Sequence, residues 1–255
     1  TKLSSPNPEP MQGIVIHTHI MINTSLSLVR LLQIVSPSSP IGAYAYSQGL
    51  EQAVDWGWVK TEAQLQNWIS GILLNSVLTQ DAPILIRLYR AWGVKDYDRL
   101  LYWNQYLLAC RDTKELRSEE KILGQGLTRI LTTLGLVDLK TFQETSNKND
   151  RSNNNVSICY CTAFSCAGVN WNIDLHSLLL GYCWAWAENQ VMVALKLLPI
   201  GQSAGQRILS AVGEEMAAGI EACFSKGDDA IAGALPGLAL ASAAHESQYS
   251  RLFRS

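Results

Sequence analysis

Charge is scarce in this chain: Asp, Glu, Lys and Arg together make up 16% of its 255 residues, against roughly 25% in an average soluble domain. The formal net charge is −2 and the basic residues are dispersed. The electrostatic footprint that a nucleic-acid backbone requires is therefore missing, which excludes nucleic acid as a partner. Also missing are a glycine-rich loop ending in Gly-Lys-Ser/Thr, a His-Glu-x-x-His helix and a Gly-x-Ser-x-Gly elbow. Their absence removes phosphate-loop, zinc-protease and elbow-type hydrolase chemistry, and no catalytic motif is left. No stretch alternates with period two over a strand's length, so strands have no support. No apolar run approaches the ~18 residues of a membrane span. The apolar stretch 11–22 is interrupted by Gly13, His17 and His19 and lacks a basic flank and a cleavage site, so neither a membrane anchor nor a signal peptide is expected. The six cysteines, Cys110, Cys159, Cys161, Cys166, Cys183 and Cys223, form no dense disulfide framework, and a reducing cytoplasm is the compartment that fits.

What the chain does have is apolar bulk: 47% hydrophobic residues, with 8 Trp and 9 Tyr. That bulk is arranged with helical periodicity, and the expected fold is all-α, one multi-helix bundle of about nine to eleven helices. Little charge beside many aromatics also suggests that part of the exterior is covered by partners. Residues 1–24, with Pro6, Pro8 and Pro10, read as a flexible leader, and the helical domain as 25–244. A first helix is expected from about Ser25 to Ser36-Pro37, because the residue before proline avoids helical angles.

Downstream, Tyr46, Leu50 and Val54 recur at four-residue spacing up to Gly57, and Thr61-Glu62-Ala63-Gln64 is a capping box. Asp81 ahead of Pro83 is expected to cap a helix ending at Gly93; Asp96 caps another, and a long pattern runs from 113 to 134. Residues 140–156, with Asn153-Asn154-Asn155, read as a polar loop too poor in apolar residues to be ordered. Asp174 to Leu197 is a long apolar helix, and Ser203-Ala204-Gly205-Gln206 reads as a second capping box.

Several constellations carry both a structural and a functional reading. Cys159, Cys161, Cys166 and His176 contain enough soft ligands for zinc or nickel. On a helix, however, residues two apart diverge by ~200°, so the cysteines are expected to act as small buried hydrophobes and no metal site is assigned. Glu188, Asn189, Gln206 and Arg207 read as buried polar groups, with Glu188 and Asn189 satisfying backbone groups or pairing with Arg207. The charged run from Arg111 to Glu120 is either a solvated helix face or a docking surface.

Two segments point to recognition rather than chemistry. One is the proline- and glycine-bearing stretch from Ser36 to Glu51, the other the amphipathic tail 245–255, whose Tyr249, Leu252 and Phe253 can bury area while Arg251 and Arg254 meet acidic groups. With Asp112-Thr113-Lys114-Glu115-Leu116-Arg117 and Trp184 through Gln206-Arg207 between them, these segments stand in the order seen in the urease accessory protein UreF family, which the chain resembles from about 28 to 255. The resemblance implies an all-α, non-enzymatic protein that dimerises. It also implies binding to the scaffold protein UreD (UreH) and the GTPase UreG, in an assembly that carries nickel to apo-urease. Nickel is then handled by the assembly and no cofactor is expected on this chain.

By the same resemblance Tyr44, Ser47 and Glu51 are expected at or near the GTPase-facing surface with Arg251 beside them, and the tail is expected to become ordered on the scaffold protein. Two alternatives remain open: regulation of the partner's GTP hydrolysis through Arg251 or Arg254 as an arginine finger, and a nickel-binding chaperone using Cys159, Cys161 and His176.

Overall fold

The computed structural model describes residues 12–136, 138–149 and 156–254. Within them the chain forms eleven α-helices and no strand: α1 (Gln12–Val35), α2 (Leu50–Asp55), α3 (Glu62–Ile72), α4 (Ala82–Val94), α5 (Tyr97–Ala109), α6 (Lys114–Thr133), α7 (Asp138–Asn149), α8 (Tyr160–Asn170), α9 (Leu175–Leu197), α10 (Gln202–Ser225) and α11 (Pro236–His245). A π-helical stretch, Leu73–Asp81, joins α3 to α4 without a break. These three elements form one rod, Glu62–Val94, long and apolar enough by length and composition to cross a bilayer. The sequence patterning showed no such length. Two-thirds of the rod's most apolar window, 67%, is buried inside the protein, as suits the central helix of a globular core.

Local signals account for most of the boundaries. Thr61 and Gln64 form the expected capping box at the start of α3, Asp96 Oδ1 accepts from Arg99 N at α5, and Asp174 Oδ1 accepts from Ser177 N at α9. Thr113 caps α6 through Leu116 N. Three expectations fail here. Asp81 is not a cap: it has helical angles inside the continuous rod and its carboxylate is turned to Arg111. Ser203 to Gln206 is not a capping box, since α10 starts after Gly201 without a side-chain cap. The end of α4 is set by Lys95, in the left-handed region at φ 54°, rather than by Gly93.

The N-terminal helix starts at Gln12 rather than near Ser25. No proline lies between residues 11 and 36, so nothing breaks the helix across what composition suggested was a leader. Residues 1–11 lie outside the described residues. The polar segment 140–156 is corrected as well. Helix α7 runs through it to Asn149, and Leu139, Phe142 and Ser146 form a buried face at helical spacing. Phe142 packs edge-on against Trp92 with ring centroids 5.5 Å apart. The polar side chains serve the connection: Gln143 Nε2 donates to Val156 O, and Val156 N donates to Asn147 Oδ1. Residues 150–155, most of the Asn-rich run, lie outside the described residues.

At the centre sits α8, buried on every side from Cys161 to Gly168, against α4 on one flank and α6 on the other. The close approach of α6 requires Gly124: a Cβ there would fall 2.0 Å from Ile158 O and 2.6 Å from Cys159 C, a clash no side chain could avoid. Around this axis α9 and α10 pack on each other, α1 lies on α9, and α11 is held between α2 and α6.

Because Phe142 is fully buried, Phe142→Ala is expected to lower unfolding free energy by about 3–5 kcal/mol. Denaturant titration of the two proteins checks this, and a loss below about 1 kcal/mol would return the segment to the status of a dispensable loop.

Candidate docking surface

The segment Ser36–Gly49 is a chain of tight turns, with Ser39 N bonded to Ser36 O and a single 3₁₀ turn at Ala43–Ala45. Gln48 and Gly49 then both take positive φ, 53° and 79°, a reversal that glycine adopts readily. A Cβ on Gly49 would lie 3.0 Å from Ser242 N, so the glycine also lets α11 come down onto α2. The hydroxyls of Thr113 and Ser242 are 2.8 Å apart on the other side. In consequence His245, at the end of α11, falls between Glu51 of α2 and Glu115 of α6. Its Nε2 is 3.1 Å from Glu51 Oε2 and its Nδ1 is 2.8 Å from Glu115 Oε2.

The tail folds back over this point. Glu51 Oε1 accepts from Leu252 N at 2.7 Å and Oε2 from Phe253 N at 3.0 Å. Arg251 Nη1 donates to Glu115 Oε1 at 2.9 Å, and Arg254 N donates to Ala45 O at 2.8 Å. The Phe253 ring is buried, with the Lys196 ammonium 5.5 Å from its centre. Residues 246–254 are thus seated on their own chain, two backbone amides meeting the buried Glu51 carboxylate and the Arg251 guanidinium meeting Glu115.

This seating sorts the expected site residues into two groups. Ser47, Glu51 and Phe253 are buried; they build the surface and are not presented by it. Tyr44, Tyr249 and Leu252 are exposed, with 56%, 105% and 64% of their area open, and Arg251 lies at the rim, its side chain 39% exposed. The bond from Arg254 to Ala45 places Tyr44 beside the tail's end, so the two recognition segments, at opposite ends of the sequence, share one face.

Behind the 3₁₀ turn lies a cavity of about 320 Å³ bounded by Gln48, Arg111, Glu119, Tyr182, Trp186 and Glu188, among others. Gln48 spans it, donating to Glu119 Oε1 at 2.8 Å and accepting from Trp186 Nε1 at 2.8 Å. Asn189 donates to Tyr46 O at 3.2 Å, the backbone role expected of it. Burial raises the carboxyl of half-buried Glu188. Arg207 does not reach Glu188: it is exposed and pairs with Glu62 at 2.7 and 2.8 Å, and Gln206 is exposed beside it. Reading those two as buried groups is therefore overturned, since their face of α10 points outward near α3.

The charged run 111–120 is turned partly inward, with Asp112 and Lys114 exposed. Arg111 makes a two-pronged pair with Asp81, both bonds 2.9 Å, and reaches Glu120 Oε2 at 2.9 Å. Glu119 and Glu120 are buried. Burial alone would disfavour charge on Arg111, yet Asp81 and Glu120 hold its guanidinium protonated well above the ordinary range. Sequence reasoning missed this cluster; the available signal was a dense run of charge in a chain otherwise poor in it.

The cysteines pack as apolar residues. Cys159, Cys161, Cys166 and Cys183 are buried, and burial pushes their thiols upward, away from the thiolate. His176 is at the surface, 3.2 Å from Glu221. Among the described residues no group of three His, Cys, Asp or Glu side chains could hold a metal ion.

Fold and site together define an all-helical protein that exposes Tyr44, Tyr249 and Leu252 beside its folded-back tail. The comparisons carry this further. The profile of the UreF family matches residues 59–213. The chain is 41% identical to the urease accessory protein UreF of Alkalilimnicola ehrlichii, over 91% of this chain and 98% of that one. It is 42% identical to that of Chromohalobacter salexigens, over 90% and 95%, and 40% identical to that of Pseudoalteromonas translucida, over 98% and 99%. The chain belongs to the UreF family of urease accessory proteins.

Arg111→Ala leaves Asp81 and Glu120 buried without their cation and is expected to cost about 3–5 kcal/mol, read by denaturant unfolding. In the folded protein only half-buried Cys110 is expected to react with iodoacetamide within minutes, the other five thiols remaining unlabelled until the chain unfolds; mass spectrometry of labelled peptides checks this.

Proposed function

We propose that this chain is a non-catalytic maturation factor for urease, one that bridges the scaffold protein UreD (UreH) and the GTPase UreG so that nickel reaches apo-urease. On this reading it works in the cytoplasm as a homodimer, and nickel passes through the assembly rather than residing on this chain as a cofactor. The observation that carries the proposal is the exposure of Tyr44, Tyr249 and Leu252 where the tail's end bonds to Ala45, the residue after Tyr44. Exposed aromatic and leucine side chains rimmed by arginine are the composition of a binding hot spot. A second exposed apolar row on α1, with Leu28, Val29 and Leu32 each more than half open, adds area available to partners.

The two alternatives are less well supported. An arginine finger must enter another protein's site, whereas the Arg251 guanidinium is bonded to Glu115. A nickel chaperone needs accessible thiolates, whereas Cys159 and Cys161 are fully buried.

Co-purification with UreD and UreG tests the reading, using the full chain, a 1–244 truncation and the double variant Tyr249→Asp/Leu252→Asp. The truncation is expected to lose the complex, and the double variant to weaken it at least about tenfold, as loss of a hot spot does, with an unchanged melting temperature. Equal binding by all three would place docking elsewhere.

A further inference from the structure

One wall of the 320 Å³ cavity behind the 3₁₀ turn is the π-helical stretch, which contributes Val77, Gln80 and Asp81 to it. π-Helical turns are rare and gather at functional sites. Gln80 is only 2% exposed, yet among the described residues its side-chain amide makes no hydrogen bond. A buried amide with donor and acceptor both unmatched costs free energy, and a polar group brought into the cavity would meet it. Glu188, half-buried on α9, lines the same cavity and has no hydrogen-bond or ion-pair partner among the described residues either. The charge around these two groups has one sign. Asp81 and Glu120 share the single guanidinium of Arg111, and Glu119 accepts from Gln48. At the rim, exposed Asp112 offsets Lys196, whose ammonium lies against the Phe253 ring. A concave site of one sign concentrates the opposite charge.

The rest of the lining is apolar or aromatic, with Ile72, Val77 and Leu123 buried and the rings of Tyr160 and Tyr182 stacked 5.8 Å apart. Such walls suit an organic body, and aromatic faces add attraction for a cationic head. A bare metal ion is a poorer match, since among the described residues no three His, Cys, Asp or Glu side chains could hold one. We propose that this cavity binds a small organic monocation, an alkylammonium or an amidinium, whose charged head pairs with Glu188, whose second polar contact is the Gln80 amide, and whose apolar body lies on the Tyr160 and Tyr182 rings. The volume is at the small end of ligand sites, which limits the body to one ring or a short chain. Ala43 and Tyr44 border the cavity as well, so the ligand lies beneath the turn that exposes Tyr44. The inference rests on the cavity's own groups and stands whether or not the assembly reading above holds.

The test is calorimetric titration of the full-length protein with two probes, benzamidinium and n-butylammonium, each against its neutral counterpart, benzamide and 1-butanol. At least one cation is expected to bind with single-site stoichiometry and at least about tenfold more tightly than its neutral counterpart, the scale of one charge-assisted contact. Glu188→Gln should remove that preference. Glu62→Gln, which alters an exposed carboxylate paired with Arg207 away from the cavity, should keep it. Gln80→Leu should weaken binding of the cation and, because the amide has no partner to lose, should melt without ligand no lower than the wild type. The proposal is overturned if neither cation binds better than its neutral counterpart, if Glu188→Gln binds the cation as the wild type does, or if Gln80→Leu melts lower, which would show the amide to be part of the framework instead.

Discussion

The carboxylate of Glu51 is the point on which the seating of the C-terminal tail depends. A buried charge is costly unless it is surrounded by donors, and here the donors are two tail amides and the His245 ring. They come from two parts of the chain, the end of α11 and the tail beyond it. Meeting the needs of one side chain on α2 therefore draws in the end of α11 and the tail. Tyr44, Tyr249 and Leu252 are exposed on the outside of that arrangement because Glu51, Ser47 and Phe253 are buried on the inside.

A second buried cluster does for the core what Glu51 does for the tail. Arg111 joins Asp81, at the end of the π-helical stretch, to Glu120 on α6, and Glu120 Oε1 in turn accepts from Cys161 N at the start of α8. The central helix is thus tied by charge as well as by packing. The low overall charge of the chain takes on a different meaning in this light. Several of its few charged residues, Glu51, Asp81, Glu119 and Glu120 among them, lie inside, so the outer surface is poorer still in charge than the composition alone indicates.

Much of the secondary structure was legible in the sequence because it rests on contacts between residues close along the chain. The capping box at Thr61–Gln64 and the caps at Asp96 and Asp174 depend on three-residue spacings alone. The failures have equally local causes. Composition hid α7, because a few buried positions such as Leu139 and Phe142 suffice for a helix that packs on one side only. Asp81 before Pro83 has the pattern of a cap, but the helix runs through, and Arg111, thirty residues on, claims the carboxylate. Ser203 to Gln206 has the right letters two residues too late, after a helix that had already begun at Gln202.

By itself the sequence determined the all-α class and the helix caps at Thr61, Asp96 and Asp174, since composition, period and spacing are properties of neighbouring residues. Only the tertiary structure decided that the tail is seated on its own chain, that Glu51 is its buried anchor rather than a surface contact, and that Arg207 faces outward to Glu62. These outcomes depend on which distant donors reach a given carboxylate first. That choice is made by packing, which no local pattern of residues encodes.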